Sequence, residues 1–433
     1  MFCRALTISM VLVAGLASAQ VSLRNSLAGD AAAEAGRQQL DSQAYTYKAG
    51  DFRLLAAPSL EMDWNDNVNS SRTSAQSDFI LQPLLQLTAS YPLTQRNLLS
   101  LNLGVGYEEY LRHGALSRAY ISSDSGAAFN LYIKDFAINF HDRFTMTANS
   151  QSEAAISGTA VYGTFINTAG LTVTWDLEDI VLTLGYDHQN TLSEFQQFDY
   201  TDNSAELPLA RVGVHLRPDL TVGIEGTASY TTYTHAVLND NQSYSIGAYA
   251  DWNPGTYFHV QPRAGYTIFQ FQHTSQSAQV FELTPSGIPI IVPSAPSIQT
   301  ADTTSWYADL TVSHEVSKVV SYHLSAGHEI RLGIQSDAVE DTYFRPGVTL
   351  AVFRNVDLTT SLIYEHGNQG AGNVQGNLKE TYDQYGAGVS ASCEVMKRLK
   401  ATLNYQLTVR SSTLAQARYT DNLVGLRLTY QAQ

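Results

Sequence analysis

The stretch LTVGIEGTASY, Leu220 to Tyr230, separates into two alternating halves. Leu220, Val222, Ile224, Gly226, Ala228 and Tyr230 make one, and Thr221, Gly223, Glu225, Thr227 and Ser229 the other. Successive side chains leave a pleated backbone on opposite sides, so this is a strand with one apolar and one polar face. Two architectures suit such a strand. A soluble sandwich turns the apolar face inward, whereas an outer-membrane barrel turns it to lipid and lines a wet lumen with the polar face.

The same alternation recurs from Phe52 onward in about eighteen segments of the length a tilted spanning strand needs. Every second connection is very short, as at Arg217-Pro218-Asp219, Asn253-Pro254-Gly255, Ser317-Lys318 and Met396-Lys397-Arg398. The connections between them, such as 65–77, 149–159, 191–202, 272–302 and 366–379, are longer and polar. Short turns at one rim and long loops at the other belong to an outer-membrane barrel, and a Greek-key sandwich gives no reason for that regularity. The hairpin period of roughly 40 residues resembles a propeller blade, but a blade needs four short strands and its own motifs, and here there are two long strands and none. Aromatic residues gather near strand ends: Trp64, Tyr107, Tyr110, Tyr186, Tyr230, Tyr364 and Tyr419 toward the long-loop rim, and Tyr91, Trp175, Trp252, Phe353 and Tyr430 toward the other. They predict two interfacial belts.

The predicted fold is therefore all-β, a transmembrane antiparallel up-and-down β-barrel of about 18 strands (16 to 20) in the outer membrane of a Gram-negative bacterium. In the opening strand the even positions face lipid, and Thr221, Glu225, Thr227 and Ser229 face the lumen.

The ends and the composition agree. MFCRALTISMVLVAGLASAQ has a basic residue at Arg4, an apolar run from Ala5 to Leu16 and the cleavage pattern Ala17-Ser18-Ala19, so residues 1–19 are predicted to be a signal peptide. Residues 20–50 lack strand alternation and are read as a periplasmic leader, with 51–433 as the barrel. Cys393 would be the one cysteine left after cleavage, so no disulfide within the chain is expected. With 40 acidic against 25 basic residues the net charge is −15, which disfavours nucleic acid as a partner. The last strand, with Val424, Leu426, Leu428 and Tyr430 on one face, suits recognition by barrel assembly machinery, although Gln431-Ala432-Gln433 follow the aromatic residue.

The segment WNDNVNSSRTSAQSDFILQPLLQLTASYPLTQRNLLSLNLGVGYEEY, Trp64 to Tyr110, resembles the β-barrel porin type 2 family of outer-membrane proteins. Trp64, Asp66, Asn67 and Val68 of the first loop carry the resemblance, with Asp78, Pro83, Tyr91-Pro92, Tyr107 and Tyr110. It implies location and fold, and some members are linked to exopolysaccharide clusters. It supplies no catalytic or binding residues.

No catalytic site, cofactor or metal is expected. His314-Glu315 and His328-Glu329 lack a second histidine four residues on and lie in strands. His141 and Asp142 point to opposite faces of one strand. Strand parity instead selects lumen-lining charges: Arg143, Arg211, Glu225, Arg263, Asp309, Glu329, Arg331, Arg345 and Arg427. The same parity adds Lys400, Arg410, Glu108, Asp251, Glu365 and Glu394, and the near balance of sign in the whole set suits either an open, weakly selective pore or charges that pair across strands. The acidic excess is expected at the loop rim, where it would concentrate cations. In the longest loop, GIPIIVPSAP places Ile288, Pro289, Ile290, Ile291, Val292 and Pro293 in an apolar, Pro-interrupted segment. It is expected to be no regular strand and to fold inward as a constriction. The expected function is passive diffusion of small hydrophilic solutes, in contact with outer-membrane lipid and lipopolysaccharide. The alternatives are a component for exopolysaccharide export or assembly and a plugged surface scaffold. Porins are often homotrimers, but no strand marks such an interface.

Overall fold

A computed structural model describes residues 45–94, 97–133, 135–147, 154–155, 162–235, 237–272, 278–283, 289–295, 301–334, 336–353, 355–371 and 379–430. Their strands form one closed, wholly antiparallel wall of eighteen strands. In chain order these are β1 (Phe52–Asn65), β2 (Asp78–Pro92), β3 (Leu98–Tyr110), β4 (Arg118–Ile121 and Gly126–Ile133), β5 (Phe136–Thr147) and β6 (Thr164–Asp176). They continue as β7 (Ile180–Ser193), β8 (Asn203–Arg217), β9 (Leu220–Tyr233), β10 (Asn241–Gly255), β11 (Phe258–Phe271) and β12 (Thr303–Glu315). The circuit ends with β13 (Val320–Leu332), β14 (Ala338–Phe353), β15 (Val356–Ala371), β16 (Glu380–Met396), β17 (Leu399–Ser412) and β18 (Tyr419–Tyr430). The turn expected at Asn253-Pro254-Gly255 comes later: these residues end β10, with a register irregularity between Trp252 and Gly255.

The outward face is apolar. Val105, Leu184, Val212, Ile224, Ile246 and Leu403 are all exposed on it, and their strand neighbours on the other face are polar or small. Trp64, Tyr107, Tyr186 and Tyr230 stand exposed toward the long-loop rim, with Tyr91, Trp175, Trp252, Phe353 and Tyr430 toward the other. Tyr110 and Tyr419 depart from the expected belt. Both are buried, because their parity turns them inward.

Closure is made between the first and last strands, where Ser59 through Asn65 pair with Thr429 through Leu423. A latch of first-loop residues completes it. The Asp66 carboxylate accepts the backbone N–H of Asn422 at 2.7 Å and its side-chain amide at 2.7 Å. Asn67 donates its amide to Thr420 O at 2.8 Å and to Ser71 O at 2.9 Å. Val68 packs with Ile80 and Tyr110, and the fully buried Asp78 accepts the backbone N–H groups of Phe79, Arg112 and His113. Below this latch β18 has ended, and the short strand Tyr47–Ala49 folds back along the start of β1, from Tyr47 opposite Leu54 to Ala49 opposite Phe52. Residues 1–44 lie outside the described residues.

Asn67→Ala removes two amide donors and the acceptor of the Ser71 N–H from a buried site. The expected cost is about 2–3 kcal/mol, read as a lower urea midpoint for loss of the heat-modifiable folded band. An unchanged midpoint would show that the latch does not hold the seam.

Candidate functional site: the lumen and its mouth

Inward-facing charges form pairs across neighbouring strands. Arg211 on β8 donates to Glu225 on β9 through Nε at 3.0 Å and Nη2 at 2.9 Å. Arg263 on β11 reaches Asp309 on β12 at 2.8 Å, and Arg345 on β14 reaches Glu365 on β15 at 2.9 Å. The buried Arg331 touches Asp341 at 3.3 Å and the other oxygen of Glu365 at 3.4 Å. Arg427 bonds Glu61 across the seam at 2.8 Å. Arg143 lies 3.9 Å from Asp187, which also accepts from His141 at 3.1 Å. Glu329 stands opposite Asp341 in the β13–β14 ladder. His141 is buried among these groups, while Asp142 bonds Asn167 on the other face, so the two do not act together.

Tyrosines add a second bond to the same carboxylates. Tyr343 donates to Asp309 at 2.6 Å, Tyr307 to Glu225 at 3.1 Å and Tyr382 to Glu365 at 3.4 Å. Each ring lies flat along the wall to reach its acid, which requires glycine underneath. A Cβ on Gly327 would stand 2.7 Å from the Tyr343 hydroxyl and 2.8 Å from Ala308 O.

The pairs are balanced in formal charge but not in what they show to water. Side-chain exposures of base and acid are 17% and 5% for Arg211–Glu225, 18% and 6% for Arg263–Asp309, and 29% and 4% for Arg345–Glu365. They are 30% and 0% for Arg143–Asp187, and 52% and 10% for Arg427–Glu61. The carboxylates are pressed against the wall and the guanidinium groups stand over them.

Two residues of one connection reach across this lumen. Ala154 and Ala155, in the connection from β5 to β6, are buried against Val339 of β14 and Tyr382 of β16. Arg410 of β17 donates Nε to Ala154 O at 2.9 Å, and Gln369 of β15 donates to Ala155 O at 3.0 Å. Arg410 is itself fixed by Glu380 at 2.8 Å, by Ala417 O at 2.7 Å and by stacking on Tyr382. In a ring of eighteen, strands 14 to 17 lie opposite the gap between strands 5 and 6, so the loop docks on the far wall. Strand parity gives no sign of such a contact.

Above it, four loops meet. Tyr162, Phe198 and Tyr200, Leu238 and Ile334 form one apolar cluster across the mouth, and Asp337 accepts both the backbone and the side-chain amide of Asn239 at 2.8 Å. Several acids expected to form a cation-collecting rim are used as loop staples. Asp202, Asp240 and Asp302 accept the backbone N–H groups of Ser193, Tyr233 and Phe271. Burial pushes the carboxyls of Glu194 and Asp202 above their ordinary range, so the mouth loses negative charge early as the medium acidifies.

In the longest loop, Ala278–Leu283 and Pro289–Ala295 pair as a two-stranded antiparallel sheet. That corrects the expectation of no regular strand: proline is tolerated where its nitrogen faces an open sheet edge, and a two-stranded sheet is all edge. Ile288 and the side chains of Pro289, Ile290, Ile291, Val292 and Pro293 lie outside the described residues.

An edgeless sheet with an apolar exterior and a hydrogen-bonded polar interior meets the demand that lipid makes on a spanning chain. The barrel belongs in an outer membrane. No family model matches the chain, so the resemblance over residues 64–110 rests on those residues alone. No curated protein matches it. Solved structures similar to it include Pseudomonas aeruginosa OpdL, with TM-score 0.46, 11% identity and cover of 89% of this chain and 100% of that one. Pseudomonas aeruginosa OccD3 gives 0.45, 10%, 87% and 90%, and a bacterial polysaccharide outer membrane secretin gives 0.34, 10%, 89% and 100%. No residue is carried over from them.

Glu365→Gln takes the shared carboxylate from Arg331 and Arg345, one of them buried. It is expected to cost about 3 kcal/mol, while Arg217→Gln, at the solvent-exposed Arg217–Asp219 pair of a short turn, costs under about 1 kcal/mol. Unfolding of both variants in urea with lipid vesicles checks the difference, and equal midpoints would contradict it.

Proposed function

We propose that this chain is a passive outer-membrane channel for small hydrophilic solutes, narrowed by the β5–β6 loop and biased toward anions by its exposed guanidinium groups. The observation that carries the reading is the unequal exposure within the lumen ion pairs. Arg211, Arg263 and Arg345 each lie near the middle of their strands, so the bias acts at mid-depth, where low-dielectric walls focus a field. The docked loop supports a narrow bore, which suits small solutes and sits poorly with passage of a polysaccharide. The apolar Pro289–Ala295 strand would be a further narrowing element. Residues 1–19 as export signal, 20–50 as periplasmic leader, assembly by the barrel machinery and a homotrimer complete the proposed setting.

Liposome swelling tests this reading. Small carboxylate solutes are expected to enter several-fold faster than cations of equal size, and the triple variant Arg211→Gln/Arg263→Gln/Arg345→Gln should lose most of that ratio. Deleting 150–158 should raise single-channel conductance. The closed apolar cluster at the mouth favours a second reading, a plugged scaffold. Swelling no faster than protein-free vesicles, before and after the deletion, would select it.

A further inference from the structure

Toward the mouth, β12 and β13 overlap instead of pairing. Among the described residues their ladder runs from Glu315 opposite Ser321 only as far as Ala308 opposite His328, although β12 begins at Thr303 and β13 continues to Leu332. The ladders on either side go on to the top. β11 pairs with β12 up to Phe269 opposite Thr303, and β13 with β14 up to Leu332 opposite Ala338.

The side chains show how the two upper edges lie. Phe269 and Phe271 share the inward parity of Arg263, whereas Ile330, Leu332 and Ala338 have the outward parity, opposite to Arg331 and Val339. Yet Phe269, Phe271, Ile330 and Ala338 form one buried apolar cluster, with Leu332 packed against it. Ser305, inward on β12, donates to Glu340, outward on β14, at 3.0 Å. Both contacts join the lumen side of β11 and β12 to the outer side of β13 and β14, so the upper edge of β13 passes behind β12. The tip that follows reaches across the mouth. Ile334 belongs to the apolar cluster there, and Leu332 and Gly333 share a small cavity with Thr164 of β6, Gln189 of β7, Asn203 of β8 and Thr231 of β9.

The same residues fit a second arrangement. Continuing the β12–β13 ladder in its own register sets Tyr307 opposite Glu329, Trp306 opposite Ile330, Ser305 opposite Arg331 and Thr304 opposite Leu332. Faces then match at every step: Trp306, Ile330 and Leu332 turn to lipid, and Ser305, Tyr307, Glu329 and Arg331 to the lumen. Strand alternation is thus kept through a stretch that has no ladder. Zipping the edges gains backbone hydrogen bonds that a lipid-facing strand needs, but it uncovers Phe269 and Phe271 to lumen water and draws Ile334 out of the mouth cluster. Ladder bonds against apolar burial is the exchange that makes a two-position element.

We propose that the β13–β14 hairpin is a lid with two positions: lapped behind β12 with its tip across the mouth, or zipped into the wall with the mouth cleared. It pivots on the β14–β15 ladder, which holds up to Ala338 opposite Ala371 and is irregular between Ala338 and Val339. The effect of the motion on conductance rests on the channel reading above, while the motion itself does not.

The test is oxidation of Thr304→Cys/Leu332→Cys in the folded full chain with Cys393→Ser, which removes the native thiol. In the zipped register the two Cβ atoms stand about 5 Å apart, and a disulfide is expected to form. Trp306→Cys/Ile330→Cys is the second pair, and folding of each is checked by heat-modifiable mobility. Hydrogen exchange then reports the lid independently of conduction. The Asn239 amide, which donates to Asp337 in the lapped position, should exchange at least roughly tenfold faster in the oxidised than in the reduced chain. Single-channel conductance should rise several-fold on oxidation. No disulfide at either pair, or a disulfide with unchanged exchange at Asn239, would overturn the proposal. Faster exchange in a chain that conducts neither oxidised nor reduced would support the lid and remove the channel reading.

Discussion

A carboxylate held flat against a β-wall by one guanidinium and one tyrosyl hydroxyl is the interaction on which this barrel depends. Glu225, Asp309 and Glu365 each receive both. Because the tyrosine comes from another strand, each acid ties together neighbours that the backbone ladder alone would only align. Burying a carboxylate without such partners would cost several kcal/mol, so the wall tolerates these acids only where arginine and tyrosine converge. The glycines beneath the rings follow from the same requirement.

That constraint also sets the lumen's character. In the pairs of Arg143, Arg211, Arg263, Arg345 and Arg427 the acid is the more buried member, whereas Arg331 and Arg410 are as buried as their acids. Much of the acidic excess is spent elsewhere, in Asp66 and Asp78 at the closure latch and in Asp202, Asp240, Asp302 and Asp337 under the loops. Each accepts backbone N–H groups that the end of a strand would otherwise leave without partners.

The wall was legible because its information is local. Side chains alternate with period two, so Leu220–Tyr230 declares its faces without reference to any other strand, and the rhythm of short and long connections orders the strands into hairpins. Parity also chose the inward charges. It could not weigh them, since the exposure of Arg345 over Glu365 depends on side-chain reach and on Tyr382 from β16. Parity assigned Tyr110 and Tyr419 wrongly only where rim position was put above face. The β5–β6 loop was beyond reach for a different reason: its anchor is Arg410, 256 residues from Ala154, and the acceptor is a backbone carbonyl that any residue supplies. The Trp64–Val68 segment was singled out by resemblance, and its physical role, fastening Asn422 and Thr420 at the seam, needed the closed ring to be seen.

The central claim, that pairing leaves guanidinium groups facing the water, is tested most directly by the reversal potential of the folded full chain in a planar bilayer under a potassium chloride gradient. A potential displaced to the chloride side is the predicted result. A potential at zero or displaced to the potassium side, from a conducting channel, would contradict it.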